Sequence, residues 1–257
     1  QPAPQVAADY SNGAIGVDMN ADHLAMASVT ADGDLESIAR IDTHVANKST
    51  GQRLDIYRQA AKEIVDRAEA EGRPIVIERL DFRAKRRRLR EIGSARQARM
   101  LSAFATQMFY SALMSRARRR GIAVVDVDPA FTSVIGATKA KTFGVSVHQA
   151  AAWAIARRGL GVREQVPYRF AVPDGHRKPL TVSRSADLQS KARGDEREVW
   201  RETAARIKAA RQERPRPSSG SQRRHRRRVE RELAADQAFL HAMRAAAPGE
   251  TPGETFT

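Results

Sequence analysis

The chain contains no cysteine, which rules out disulfides and any zinc site built on thiolates. Its redox compartment therefore leaves no mark on the composition. Aromatic residues are scarce, at 5%. No apolar run is long enough to cross a bilayer. Acids are in deficit: 30 Asp and Glu stand against 45 Lys and Arg, a net charge of +15 over 257 residues. So large an imbalance favours a polyanionic partner, nucleic acid before a membrane surface. Residues 1–12 lack the basic and apolar regions of a signal peptide and read as a Pro- and Ala-rich linker. A cytoplasmic, nucleoid-associated location in a bacterium is expected. The first residue is Gln, so the numbered segment is expected to belong to a longer polypeptide.

What is present starts with Gly13-Ala14-Ile15-Gly16-Val17-Asp18-Met19-Asn20, a short apolar run climbing to one carboxylate. A second run follows from His23 to Thr30, across a tight Asn20-Ala21-Asp22 link. A third spans about 35–43 after the hairpin signal Ala31-Asp32-Gly33-Asp34. Apolar positions at helical spacing predict a helix over about 50–71, closed by Gly72 and Pro74. Ile75-Val76-Ile77-Glu78 reads as a short buried strand. Further helices are predicted over about 94–120 and 146–158, with a strand over 122–127 between them and a loop from Asp128 to Gly144.

Three strands with short links predict an antiparallel meander, and the later strands, separated by helices, predict parallel crossovers. The expected fold class is α/β: a ribonuclease H-like mixed sheet flanked by helices, over residues 13–162. Residues 163–257 are expected to be a basic, partly helical, partly disordered C-terminal region. Pro167, Pro173 and Pro179 interrupt periodicity there, a charged helix fits 195–213, and residues 214–221 are linker-like.

Asp18 and Glu78 each end a predicted strand. On this fold those strands are neighbours, so the acids can approach each other. Two close carboxylates repel, and a hard divalent cation such as Mg2+ or Mn2+ relieves that repulsion while supporting phosphodiester hydrolysis. His148, at the start of the last predicted helix, is the one strong metal-binding side chain in that turn. The alternatives are a turn aspartate for Asp18 and an ordinary helix-start residue for His148.

Three segments together resemble the RuvC-type nuclease domain of the TnpB family, transposon-encoded relatives of type V CRISPR effectors. Gly16 to Asn20 is similar to the first RuvC motif, and Ile75-Val76-Ile77-Glu78-Arg79-Leu80-Asp81-Phe82 to the second. Gly121 to Ser133 resembles the strand and Thr-Ser turn that precede the family's zinc ribbon. The resemblance covers about 14–160. It implies a metal-dependent, RNA-guided DNA endonuclease with guide RNA and target DNA as partners, a recognition lobe supplied by the remainder of a longer polypeptide or separately, and Asp18 and Glu78 as its first two acids. Two departures stand out. His148 and Ala150 occupy the Asp and Asn positions of the family's Asp-x-Asn-Ala-Ala motif, a place where more distant RuvC-like nucleases use histidine. Val134 to Lys141 replaces the paired cysteines, so no structural zinc is expected.

Basic runs complete the expected nucleic-acid contacts: Arg83, Lys85, Arg86, Arg87, Arg88 and Arg90 beside the second acid, and Arg118, Arg119 and Arg120 at a helix end. A solvated face with cations favoured by the helix dipole is the alternative for the second group. The run 223–228 is either a nucleic-acid-binding or a solubilising tail. Trp153 is expected in the core. Two further functions remain open on these residues: a RuvC-derived module that binds guide and target without cutting, and a structure-selective DNA resolvase.

Overall fold

The computed structural model describes residues 6–45, 48–79, 95–174, 177–184 and 196–214, without the side chains of 95–105 and 177. Five strands form one sheet: β1 (Ala14–Met19), β2 (His23–Val29), β3 (Leu35–Asp42), β4 (Ile75–Glu78) and β5 (Val124–Val127). Their spatial order is β3-β2-β1-β4-β5. β2 is antiparallel to β1 and β3, while β4 runs parallel to β1 and β5 parallel to β4. This is the predicted mixed, ribonuclease H-like arrangement, with the strand bearing Asp18 at its centre.

Alternation along the central strands divides the core in two. Ile15, Val17, Leu24, Met26, Ile75 and Ile77 face α1 (Thr50–Glu71) and α2 (Ala95–Arg119). Ala14, Ala25, Ala27, Val29 and Val76 face the opposite layer. That layer contains α3 (Thr132–Phe143) and α4 (Val147–Gly159). α1 starts at a capping box, Ser49 with Gln52, and stops at Gly72 in the left-handed conformation, φ 62°. On α1, Asp66 meets Lys62 at 2.7 Å and Arg116 of α2 at 2.9 Å. These two contacts, Lys62 first, lower its pKa to about 2.

Two segments depart from the sequence expectations. The predicted loop 128–144 contains α3. This helix is rich in small residues and buries Gly136, Ala137 and Ala140, so it carries no clear apolar stripe. A Cβ at Gly136 would lie 2.7 Å from the Val147 carbonyl oxygen, so the absent side chain lets α3 and α4 touch backbone to backbone. Beyond Val162, where proline suggested irregular chain, β6 (Arg169–Asp174) and β7 (Arg177–Ser183) form an antiparallel hairpin. Its register shifts between Val172 and Asp174, at Pro173, where the missing N–H breaks the ladder. Phe170, Val172, Leu180 and Val182 of the hairpin join the α3–α4 core. So do Val199, Trp200 and Ile207 of α5 (Glu196–Glu213), close to the charged helix expected there.

Residues 1–211 form one compact unit. Of a second unit, 212–257, only residues 212–214 are described. The basic runs 83–90 and 223–228, and Leu80-Asp81-Phe82 of the second motif, lie outside the described residues. Among the described residues no helix is long and apolar enough to cross a membrane.

Candidate active site

Gly16 sets the geometry of the site. A Cβ on it would lie 2.0 Å from the Ala152 carbonyl oxygen, so only glycine lets α4 settle directly on β1. Ala152 and Ala156, both buried, supply the flat helix surface that this requires. Two residues further along the same face of β1 stands Asp18. The N-terminus of α4 therefore lies over it. Ser146 fixes where that helix begins: its hydroxyl accepts the Gln149 N–H at 3.2 Å, and the Gln149 side-chain carbonyl accepts the Ser146 N–H at 3.0 Å. His148 is thereby locked in the first turn.

The result is a direct contact, His148 Nδ1 to Asp18 Oδ2 at 3.2 Å. An ionised carboxylate only accepts, so Nδ1 carries the proton, and Nε2 of the neutral ring carries the lone pair. Asn20 Nδ2 donates to the same carboxylate oxygen at 3.1 Å. Asp18 is 7% exposed and pairs with no Lys or Arg among the described residues, whereas the His148 side chain is half exposed.

Glu78 occupies the end of the adjacent strand. β1 and β4 pair Gly16 with Val76 and Val17 with Ile77, so the register extended by one residue sets Asp18 beside Glu78 on the same face. The Glu78 carboxylate accepts a hydrogen bond from the Thr132 hydroxyl on α3. Thr132 is 1% exposed, and its hydroxyl also reaches the Pro129 carbonyl at 3.2 Å. Phe131, just before it, is the one non-glycine residue with positive φ among the described residues, 65°. Arg158 of α4 braces this turn by donating to the Asp128 and Ala130 carbonyls. The Ala130 amide, and after it the Arg197 guanidinium, hold the Asp128 carboxyl below its ordinary range.

The structure thus joins Asp18 to His148 and seats Glu78 one strand away. Among the described residues, no three His, Asp or Glu side chains gather closely enough to hold one ion. The donor chemistry nevertheless fits a hard divalent cation: Asp18 is a nearly buried carboxylate, without a Lys or Arg counter-charge among the described residues, beside a second carboxylate.

Two neighbours were not singled out from the sequence. His23 is 6% exposed, receives the His148 ring edge-on at a centroid distance of 5.1 Å, and contacts the Asp22 carboxylate through Nδ1 at 2.8 Å. Thr132 is the other. The Thr-Ser turn was visible in the sequence, but its reach across 54 residues to Glu78 was not.

Arg118, Arg119 and Arg120 sit elsewhere. α2 delivers the chain to the start of β5, so these residues lie at the rim where the parallel strands begin, while Asp18 and Glu78 lie where they end. Arg120 is committed to Glu69 of α1, with Nε to Oε2 at 2.9 Å. Trp153 packs in the core as expected, donating to the Gly33 carbonyl at 3.2 Å.

No protein-family model and no curated protein matches the sequence. Among solved structures, the chain is similar to the RuvC structure of Thermus thermophilus, with 14% identity, 58% of this chain and 96% of that one covered, and a TM-score of 0.39. It is also similar to T. thermophilus RuvC in complex with a Holliday junction substrate, with 17% identity, 56% and 88% covered, and a TM-score of 0.39.

Proposed function

We propose that this chain is a nuclease domain that hydrolyses phosphodiester bonds of DNA at the site formed by Asp18, His148 and Glu78. Its motifs resemble those of the RuvC-type, RNA-guided transposon nucleases. One observation carries the reading: the Asp18–His148 contact, made across 130 residues and set beside Glu78 at the ends of two central parallel strands. Acids are placed there in a protein with a large excess of base.

Each residue has a task. Asp18 fixes the tautomer and direction of His148, leaving Nε2 able to take a proton from an attacking water or to act as a ligand. The first amides of α4 present N–H groups to a phosphate oxygen next to His148. Thr132 holds Glu78. Asp18 and Glu78 would hold a divalent cation, Mg2+ or Mn2+, which when bound polarises the phosphate and stabilises the leaving oxygen.

The test is cleavage of a target duplex by the chain with its guide RNA and Mg2+ or Mn2+. Asp18→Asn should lower the rate at least 100-fold, and His148→Ala should lower it as well. A rate untouched by Asp18→Asn would overturn the assignment. A second reading, a module that binds guide and target without cutting, draws on one observation: no three-ligand group forms among the described residues. Target binding with no cutting under either metal would establish it. Cutting of branched DNA without RNA would instead mark a resolvase.

A further inference from the structure

The layer opposite the candidate active site carries a groove with a different chemistry. It lies between α1 and α2 and encloses about 680 Å³. One wall is a row on α2, Gln107, Ser111, Ser115 and Arg119, spaced by four residues. Four residues of helix rise about 6 Å, so the row offers a donor at each step over about 18 Å. Arg58 of α1 stands on the other wall. Among the described residues no acid lines the groove, and the sequence of α2 contains none along its whole length.

Several acids on the facing helix are held in ion pairs. Glu69 binds Arg120, and Glu71 binds Arg67 and Arg73. Asp66 binds Lys62 and also Arg116, and so steadies a third guanidinium that borders the groove. Arg58 makes only a long, exposed contact with Asp55, 3.5 Å, which contributes little. Arg119 makes no ion pair with a described residue.

We propose that this groove is a second nucleic-acid site, which seats the phosphodiester backbone of a single strand. Repeated hydroxyl and amide donors flanked by guanidiniums match phosphates that recur along a strand, and they provide position without base readout. The absence of carboxylates removes the repulsion that such a ligand would otherwise meet. Because α1 and α2 cover the face turned away from Asp18, the strand held here is distinct from the one at the candidate active site. The groove requires no cleavage, so it stands apart from the nuclease assignment.

The experiment is fluorescence anisotropy of the full chain with labelled single-stranded DNA and, in parallel, RNA, in EDTA so that nothing is cut. The double variant Arg58→Glu/Arg119→Glu should weaken binding at least tenfold. Its dependence of log K on log salt should become shallower by about 1.4, two phosphate contacts at the single-strand value. Ser111→Ala/Ser115→Ala should weaken binding about threefold with the salt slope unchanged. A control with the same charge change on the exposed Arg169 and Arg201 should shift affinity less than twofold. Equal losses in the groove and control variants would overturn the proposal, as would wild-type binding by the groove variant. Displacement of the strand by a poly-glutamate peptide at equal charge concentration would also overturn it, by assigning the groove to an acidic protein partner.

Discussion

Thr132 is the residue on which the second acid leans. Its buried hydroxyl bridges Glu78 and the Pro129 carbonyl, and the left-handed Phe131 aims it. If Glu78 holds the cation as proposed, a hydrogen-bond partner of this kind accounts for about 10- to 100-fold in activity. Thr132→Val, which keeps the shape and removes the hydroxyl, should cost about that factor in cleavage rate. Thr132→Ser should retain most of the rate. Single-turnover kinetics with thermal melts alongside would check both, and equal rates for Val and Ser would exclude a hydrogen-bonding role. At this scale the sequence was informative about type and silent about contact. Asp18 and Glu78 were legible because each ends an apolar run. His148 was legible because nothing else near the helix start ligates. His23 looked like the first residue of a strand, and only the fold brings its ring against His148.

Elements explain where legibility failed. α1 was readable because it carries a full stripe, a capping box and a left-handed glycine stop. α3 was not: its first residue follows a Phe131 that makes no side-chain cap, and small residues on several sides blur the periodicity. The β6–β7 hairpin was hidden by its own prolines, one of which marks the register shift. Two predictions belong here. Gly16→Ala inserts a methyl group where the α4 backbone already lies, an overpacking that costs about 1–3 kcal/mol or more. At roughly 2–4 °C per kcal/mol, the melting temperature should fall by at least several degrees. A melt unchanged within 1 °C would mean that α4 does not rest on Gly16.

The α1–α2 clasp at Asp66 gives a pH signature. Its folded pKa, about 2, lies below the 3.8 of an ordinary aspartate. The clasp is therefore fully stabilising above about pH 4 and is lost as pH falls through 2. Asp66→Asn should flatten the decline in melting temperature between pH 4 and pH 2 and leave the remainder of the profile unchanged. A wild-type slope in the variant would show that the clasp is not what titrates.

Over the molecule as a whole, the mixed character of the sheet, three antiparallel strands then parallel crossovers, and the basic character were readable from strand and helix alternation and from composition; the strand order and α3 were not. The packing of residues 169–211 onto α3 and α4 was not, because those contacts join segments with no shared local pattern. Trp200 and Val172 are each almost wholly buried in that core. Burying a large apolar side chain is worth about 1.5–3 kcal/mol. A fragment 1–162 should therefore melt at least 10 °C below 1–214, or bind a hydrophobic dye as an unfolded chain does. A fragment that melts like the longer chain would support a domain boundary at 162.

The partnership of Asp18 with His148 has a bearing on synthesis. The first half leaves the ribosome some 130 residues ahead of the second. Until α4 has emerged and docked on β1, a growing chain carries Asp18 and Glu78 without His148, and under the proposed function it has no complete centre with which to nick the nucleic acid around it. Once complete, the centre can be dismantled again by lifting a single helix off the sheet, without unravelling the strands beneath.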